Sequence, residues 1–217
     1  GQARVTIGSW NARQGLASLA VSDGRLAADG FVQYAAGDGP RRMNSDNDQL
    51  TARLRGHVLG NDVTLSLALD YYQGKHGEPG GLSLARMQAD RRDSSTPLDR
   101  VRIQRFAPSL GLDWQVDDLT QVTARRFYSR FERESWRQAG GSFGQVTPTE
   151  NVIVRQLQAF DTAGLDVRLR RDFGGNAQHT ITFGVLGHTS NSPVTVDKGS
   201  SNADFVGLAG PVARVSR

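Results

Sequence analysis

The segment from Val63 to Gln73 constrains this chain most, because apolar and polar residues alternate along its whole length. One face of the segment carries Val63, Leu65, Leu67, Leu69 and Tyr71. The alternation predicts a β-strand of about ten residues with one apolar and one polar face. Strands in globular proteins are mostly about five or six residues long, whereas a tilted strand crossing a bilayer needs roughly nine to eleven. The segment therefore indicates the wall of a membrane barrel.

The same alternation recurs along most of the chain, and no segment shows a convincing helical period. The segments that it marks as strands are Ala3 to Trp10, Gly15 to Ser22, Ala27 to Ala36, Gln49 to Leu59, Asp62 to Gln73, Arg102 to Val116, Leu119 to Glu134, Val152 to Asp172 and Gln178 to Ser190. We therefore predict an all-β fold, an antiparallel meander of about nine long strands that is part of a transmembrane β-barrel.

Short and long connections alternate along the chain between these segments. The short ones carry Gly, Asn or Asp, residues that suit tight turns: Ser22 to Arg25, Gly60 to Asp62, Val116 to Asp118 and Phe173 to Asn176. The long ones are polar: Gly37 to Asp48, Gly74 to Val101, Ser135 to Asn151 and the part after Asn191. Short periplasmic turns and long extracellular loops are typical of outer-membrane barrels. A soluble β-barrel or sandwich with one functional rim remains the alternative.

Composition excludes several classes of protein. The chain of 217 residues has no cysteine, so disulfides, zinc-thiolate sites and thiol catalysis are impossible. No window approaches 18 uncharged apolar residues, so we predict neither a signal peptide nor a transmembrane helix. The net charge of +4 suits an anionic partner, but the sequence lacks the motifs and stacking platform of nucleic-acid binders. We therefore expect no nucleic acid.

Catalytic and metal-binding patterns are also missing from the sequence. No GxSxG elbow occurs, and the Gly-rich run from Gly140 to Gly144 is not followed by the Lys-Ser or Lys-Thr of a phosphate-binding loop. The histidines do not have metal-ligand spacing: His57, His76, His179 and His188. We predict no enzyme, no metal site and no cofactor.

The order of elements from Gln33 to Leu82 carries a family resemblance. A strand is followed by a polar loop with Asp38-Gly39 and Asn44-Ser45-Asp46, then by a strand, a tight turn, and the long strand ending at Tyr71-Tyr72. The run Gly77-Glu78-Pro79-Gly80-Gly81-Leu82 comes next. This order resembles the early barrel of TonB-dependent outer-membrane receptors of the ferric-dicitrate and siderophore type, which carry a PGGL-type loop at this place.

The resemblance implies a barrel of roughly 22 strands and an N-terminal plug. On that basis residues 1–190 are expected to be a partial barrel wall, residues 191–217 a loop or unassigned tail, and the plug is expected to be absent from this internal fragment. The implied function is energy-coupled uptake of a ferric siderophore or similar chelate across the outer membrane of a Gram-negative bacterium. The coupling partner would be an inner-membrane protein acting through the plug. A passive porin-like barrel is the alternative.

Seven arginines are the candidate ligand-binding residues. Five lie on predicted polar faces, where guanidinium groups suit a carboxylate or a ferric chelate: Arg53, Arg55, Arg105, Arg168 and Arg170. The alternative for these five is pairing with acidic groups on neighbouring strands or on a plug. Arg41 and Arg42 fall in a predicted external loop, where they would meet lipopolysaccharide or an incoming anion.

Overall fold

A computed structural model describes residues 1–138, 152–173, 179–200 and 214–216 of the chain. Within these ranges the protein consists of strands and one short helix. The strands are β1 Gln2–Ile7, β2 Arg13–Ser22, β3 Leu26–Gly37, β4 Asn47–Leu59, β5 Val63–Gly77, β6 Arg100–Asp117, β7 Thr120–Gln138, β8 Val152–Phe173, β9 His179–Asn191, β10 Val194–Ser200 and β11 Arg214–Ser216, and the helix is α1 Leu84–Ala89.

The strands form one antiparallel sheet in which each strand from β1 to β8 pairs with the next along the chain. Strands β6, β7 and β8 have 18, 19 and 22 residues, so they are longer than a bilayer crossing requires. The predicted all-β antiparallel meander, with strands of membrane-barrel length, is confirmed.

Strands β9 and β10 continue one another along β8. Asp161 lies opposite Asn191, and Gln158 lies opposite Val194, so the register does not change between the two strands. Pro193 stands in the gap and has no N–H to donate, although its carbonyl accepts a hydrogen bond from Ala159 N at 3.1 Å. The sequence predicted the last strand to end at Ser190 and a loop or unassigned tail to follow, whereas the structure carries this strand on to Ser200.

The prediction that the chain has no helix is wrong for residues 84–89. Ser83 caps α1, since its Oγ accepts a hydrogen bond from Arg86 N at 3.3 Å. Six residues are too few to show a helical period, which explains why the sequence pattern missed α1. In the part of the chain that is described, no helix is long and apolar enough to span a membrane.

The predicted short connections that the structure describes lie at one end of the sheet. In the β2–β3 turn, Asp23 Oδ1 accepts hydrogen bonds from Arg25 N at 3.0 Å and Leu26 N at 2.7 Å, and these bonds lower the pKa of the Asp23 carboxyl. Gly24 has a φ of +90°, which only glycine adopts readily. The β4–β5 turn is closed by Gly60 N donating to Val63 O at 2.7 Å. The predicted turns at 22–25 and 60–62 are therefore tight.

The long connections 38–46 and 78–99 lie together at the other end. Arg42 N donates to Arg92 O at 2.7 Å, and Asn44 Nδ2 donates to Thr96 O at 2.7 Å. The segregation of short and long connections thus holds for these parts of the chain. The predicted turn at 174–176, the Gly-rich run 140–144 and the connection after residue 138 fall outside the described residues.

The register separates an apolar face from a polar face. Leu54 lies opposite Leu69, while the adjacent Arg53 lies opposite Asp70, so the two kinds of residue occupy opposite sides of the sheet. The apolar face is highly exposed, as at Leu54 (50%), Leu65 (51%) and Leu110 (57%). Among the described residues, only Val101 and Ile153 are apolar and buried. The residues that the structure describes therefore form no second layer against the apolar face of the sheet.

Candidate ligand-binding site

Three of the five predicted polar-face arginines pair with carboxylates on the sheet. Arg53 forms an ion pair with Asp70 across the β4–β5 ladder, and its guanidinium lies 5.9 Å from the centre of the Phe31 ring. Arg168 Nη2 lies 2.7 Å from Asp166 Oδ2. The third pair joins Arg170 Nε and Asp172 Oδ1 at 3.2 Å. Arg53 thus pairs with an acid on a neighbouring strand, as the alternative proposed, whereas Arg168 and Arg170 pair with acids of their own strand.

Arg105 and Arg55 differ from these three, since the side chain of neither makes a hydrogen bond or ion pair with any residue that the structure describes. Arg105 is exposed in the first third of β6, towards connection 78–99. In the register it lies opposite Tyr72 on β5 and Phe131 on β7, and Phe131 lies opposite Phe160 on β8. Four neighbouring strands thus contribute one row of side chains to the polar face. We call Tyr72, Arg105, Phe131 and Phe160 the aromatic–arginine row.

Two rings of this row, those of Phe131 and Phe160, contact each other and remain partly accessible. The centroids of Phe131 and Phe160 are 5.8 Å apart with an interplanar angle of 52°, a tilted arrangement that aromatic pairs favour. Phe160 is 36% exposed. Exposed rings on a face that otherwise carries Arg, Asp and Gln are unusual, and their position suits contact with a ligand.

Positive charge near the row is not balanced by neighbouring acids. Arg133 lies two residues beyond Phe131 on the same face of β7, opposite Gln158, and makes no ion pair among the described residues. The acidic residues next to it, Glu132 and Glu134, point to the opposite face because side chains alternate along a strand. Phe131 therefore has two unpaired cations as neighbours, Arg105 across the ladder to β6 and Arg133 two residues along β7.

The predicted loop arginines join two loops to each other. Arg41 Nη1 donates to the carbonyl oxygens of Arg91 at 2.5 Å and Asp93 at 3.3 Å. Arg42 Nε lies 3.3 Å from Asp90 Oδ2. The structure does not bring Arg41 and Arg42 into the aromatic–arginine row. Their hydrogen bonds and ion pair instead hold connection 38–46 against connection 78–99.

A second polar cluster anchors connection 78–99 to strand β7. Arg137 pairs with Glu78 at the start of the connection, and its Nη1 lies 3.5 Å from Asp99 Oδ2 at the end. Asp99 is only 2% exposed. His76 Nε2 lies 3.4 Å from Glu78 Oε1. Burial lowers the pKa of His76, and the charges of Arg137 and Arg133 lower it further against an opposing effect of Asp46. We call His76, Glu78, Asp99 and Arg137 the loop anchor.

The sequence pattern missed the aromatic–arginine row as a site, although Arg105 was a candidate. Its members come from four strands, and only the pairing register shows that they are neighbours. The available signal was the alternation along each strand, which places Arg105, Phe131 and Phe160 on the polar face of the sheet. Within the described ranges no three His, Asp or Glu side chains are grouped closely enough to hold a metal ion.

No family model matches the sequence. Several solved structures do match the fold. The ferric citrate transporter FecA in its unliganded form has a TM-score of 0.72 and 21% identity over 90% of this chain. BauA, the ferric preacinetobactin receptor of Acinetobacter baumannii, has a TM-score of 0.64 and 13% identity over 97% of the chain. The ferripyoverdine receptor of the Pseudomonas aeruginosa outer membrane has a TM-score of 0.63 and 11% identity over 99%.

The chain spans only 29% of the length of the FecA structure and 32% of the other two. At these identities the likeness concerns the fold, and it covers nearly the whole chain. The resemblance predicted from residues 33–82 is thereby confirmed at the level of the fold. The chain has the fold of one part of these ferric-chelate transporter and receptor structures.

Proposed function

We propose that this chain is part of an outer-membrane receptor that takes up a ferric siderophore or a similar iron chelate. The observation that carries the proposal is the unpaired, exposed Arg105 on the polar face of a sheet whose other face is apolar. The fold likeness to three iron-chelate transporters and receptors supports the same function. Those proteins are transporters and receptors, and we propose no enzymatic step for this chain.

The apolar face supports a position in the membrane. It is bounded by Trp114 towards the short turns and by Tyr71 and Phe106 towards the long loops, as expected for aromatic residues at the two bilayer interfaces. Phe183 is 68% exposed on this face. In a soluble β-barrel or sandwich another layer would cover these side chains, and the described residues supply none, so this alternative is disfavoured. The turn at 60–62 would face the periplasm and the end of β5 beyond Tyr71 the exterior.

The polar face would line the lumen, and its charges suit an anionic chelate. Guanidinium groups bind carboxylates and similar anions through two parallel hydrogen bonds, and the unpaired Arg55, Arg105 and Arg133 have those donors available. In the paired arginines the donors are already used in part. Arg41 and Arg42 remain candidates for contact with lipopolysaccharide at the outer rim.

The proposed mechanism is binding and movement without covalent chemistry. The external loops and the polar face would hold the chelate, and a plug supplied by another part of the receptor would move under the action of an energy-coupling inner-membrane protein. The plug, the coupling partner and the Gram-negative outer membrane as location are all parts of the proposal.

Uptake of radioactive iron tests this function. The full-length gene product would be expressed in Gram-negative cells that lack their own siderophore receptors, and ferric dicitrate and ferric aryl chelates would be supplied as probes. We expect saturable uptake of at least one probe that a protonophore abolishes. A passive porin-like barrel would give uptake that is linear in concentration and insensitive to the protonophore. Arg105→Gln should weaken uptake, whereas Arg126→Gln, on the apolar face, should not.

A further inference from the structure

We propose that the aromatic–arginine row makes this receptor selective for chelates that hold iron through aryl oxygens, as catecholates and phenolates do, over chelates built only from carboxylates. This inference deepens the proposed function and rests on it. It concerns the chemical class of the ligand, which the fold alone does not determine.

Two properties of the row point to such a ligand. Phe160 is exposed and Tyr72 and Phe131 are half-buried on a polar face, so part of their ring surface is accessible, and a flat aromatic group is the partner that gains most from covering it. Neighbouring strands are about 4.8 Å apart, so the row from Tyr72 to Phe160 extends over roughly 14 Å. One chelate with several rings can therefore contact both phenylalanines and Arg105 together.

The charges agree with the same class. A ferric aryl-oxygen chelate combines ring faces with net negative charge, and the row places the unpaired Arg105 and Arg133 beside Phe131. A guanidinium group can donate to the aryl oxygens and also stack on a ring. A carboxylate chelate such as ferric citrate would use the cations but would leave the rings uncovered. The rings therefore distinguish the two classes, whereas the arginines do not.

Binding to the purified full-length receptor in detergent tests the inference. The probes are the ferric complex of 2,3-dihydroxybenzoate and ferric dicitrate. The binding of each is measured by the quenching of the receptor's tryptophan fluorescence. We expect the wild type to bind the dihydroxybenzoate complex more tightly. The double variant Phe131→Leu/Phe160→Leu should weaken this binding about tenfold and change dicitrate binding less than about twofold. Arg105→Gln should weaken the binding of both probes.

Two controls keep the result interpretable. Phe106→Leu removes a ring next to Arg105 in sequence but on the apolar face, and it should change neither affinity. Phe131→Tyr keeps a ring and should retain the preference, which separates loss of the ring from loss of the fold if the double variant does not fold.

Four outcomes would overturn the inference. Tighter binding of dicitrate by the wild type would reject the ligand class while leaving the proposed function intact. Equal losses for both probes in the double variant would mean that the rings support the fold. No effect on either probe would mean that the rings pack against another part of the receptor. Failure of the wild type to bind any ferric chelate would overturn the proposed function as well.

Discussion

Arg53 on β4 and Asp70 on β5 lie directly opposite each other and form an ion pair across the polar face. Both side chains are 39% exposed, so solvent screens their attraction. The pair links two central strands and also fixes the guanidinium beside Phe31. It is therefore a structural contact of the barrel wall more than a free ligand-binding group.

A charge swap across this pair tests its role. Arg53→Asp or Asp70→Arg alone places like charges opposite each other and should lower the free energy of unfolding by about 0.5–1 kcal/mol. The double variant Arg53→Asp/Asp70→Arg should recover most of that loss. Denaturant unfolding of the refolded protein in detergent gives the three values. Strictly additive losses would show that the two residues do not interact.

Charge placement on β5 tests which face meets the lipid. Leu67→Arg puts a guanidinium on the apolar face near the centre of the sheet, at a cost of about 2–4 kcal/mol in hydrocarbon. Ser66→Arg, one residue earlier, places the same group on the polar face opposite His57 and should be tolerated. The measurement is the amount of folded protein in the outer membrane. Equal tolerance of both variants would count against a lipid-facing side.

The loop anchor predicts a specific effect on connection 78–99. Arg137→Gln removes the ion pairs to Glu78 and Asp99 at the two ends of this connection, at a local cost on the order of 1–2 kcal/mol. We expect trypsin to cleave after Arg91 several-fold faster than in the wild type. Arg130→Gln breaks an ion pair elsewhere on the same strand and serves as control. Unchanged cleavage in Arg137→Gln would show that other contacts hold the connection.

The same anchor should loosen on acidification. His76 lies beyond the bilayer-crossing part of β5, and its pKa is lowered by burial and by the nearby Arg137 and Arg133, with Asp46 opposing. The released loop therefore binds a proton more readily than the anchored loop. The stability of the anchored loop is fully present above the ordinary histidine pKa of about 6.5. It declines as the pH falls from there towards the lowered pKa of His76.

The ratio of loop cleavage rates in wild type and His76→Gln measures this effect, because the protease's own pH dependence cancels. The wild type should lose protection relative to the variant between about pH 7.5 and pH 5. A constant ratio across this range would exclude His76 as the titrating group.

Local patterns in the sequence were sufficient for the strands and their faces. The alternation from Val63 to Gln73 reappears in β5, and the structure adds Gly74 to Gly77 because these residues pair with the start of β6. Glycines carry no side chain to show alternation, so the pattern could not extend the strand. Likewise, Pro193 signals a break in any strand, and only the pairing with β8 shows that the register continues past it.

The candidate site was predicted only in part. Arg105 was identified from its polar parity, but Arg53, Arg168 and Arg170 looked equivalent to it in the sequence. Their carboxylate partners lie across a ladder or two residues along a strand, and the chain alone does not show which arginines they engage. The combination of Tyr72, Phe131 and Phe160 around Arg105 depends on the register of four strands, which local periodicity does not fix.

Cysteine labelling along β5 tests most directly that the sheet separates lipid from a water-filled lumen. The chain has no cysteine of its own, so single cysteines can be placed at each position from Val63 to Gln73. A membrane-impermeant maleimide would be applied to outer membranes containing the protein. We predict labelling with a period of two, strong at Ser66 and Ala68 and weak at Leu65, Leu67 and Leu69. Uniform labelling, or strong labelling at the leucines, would contradict the account.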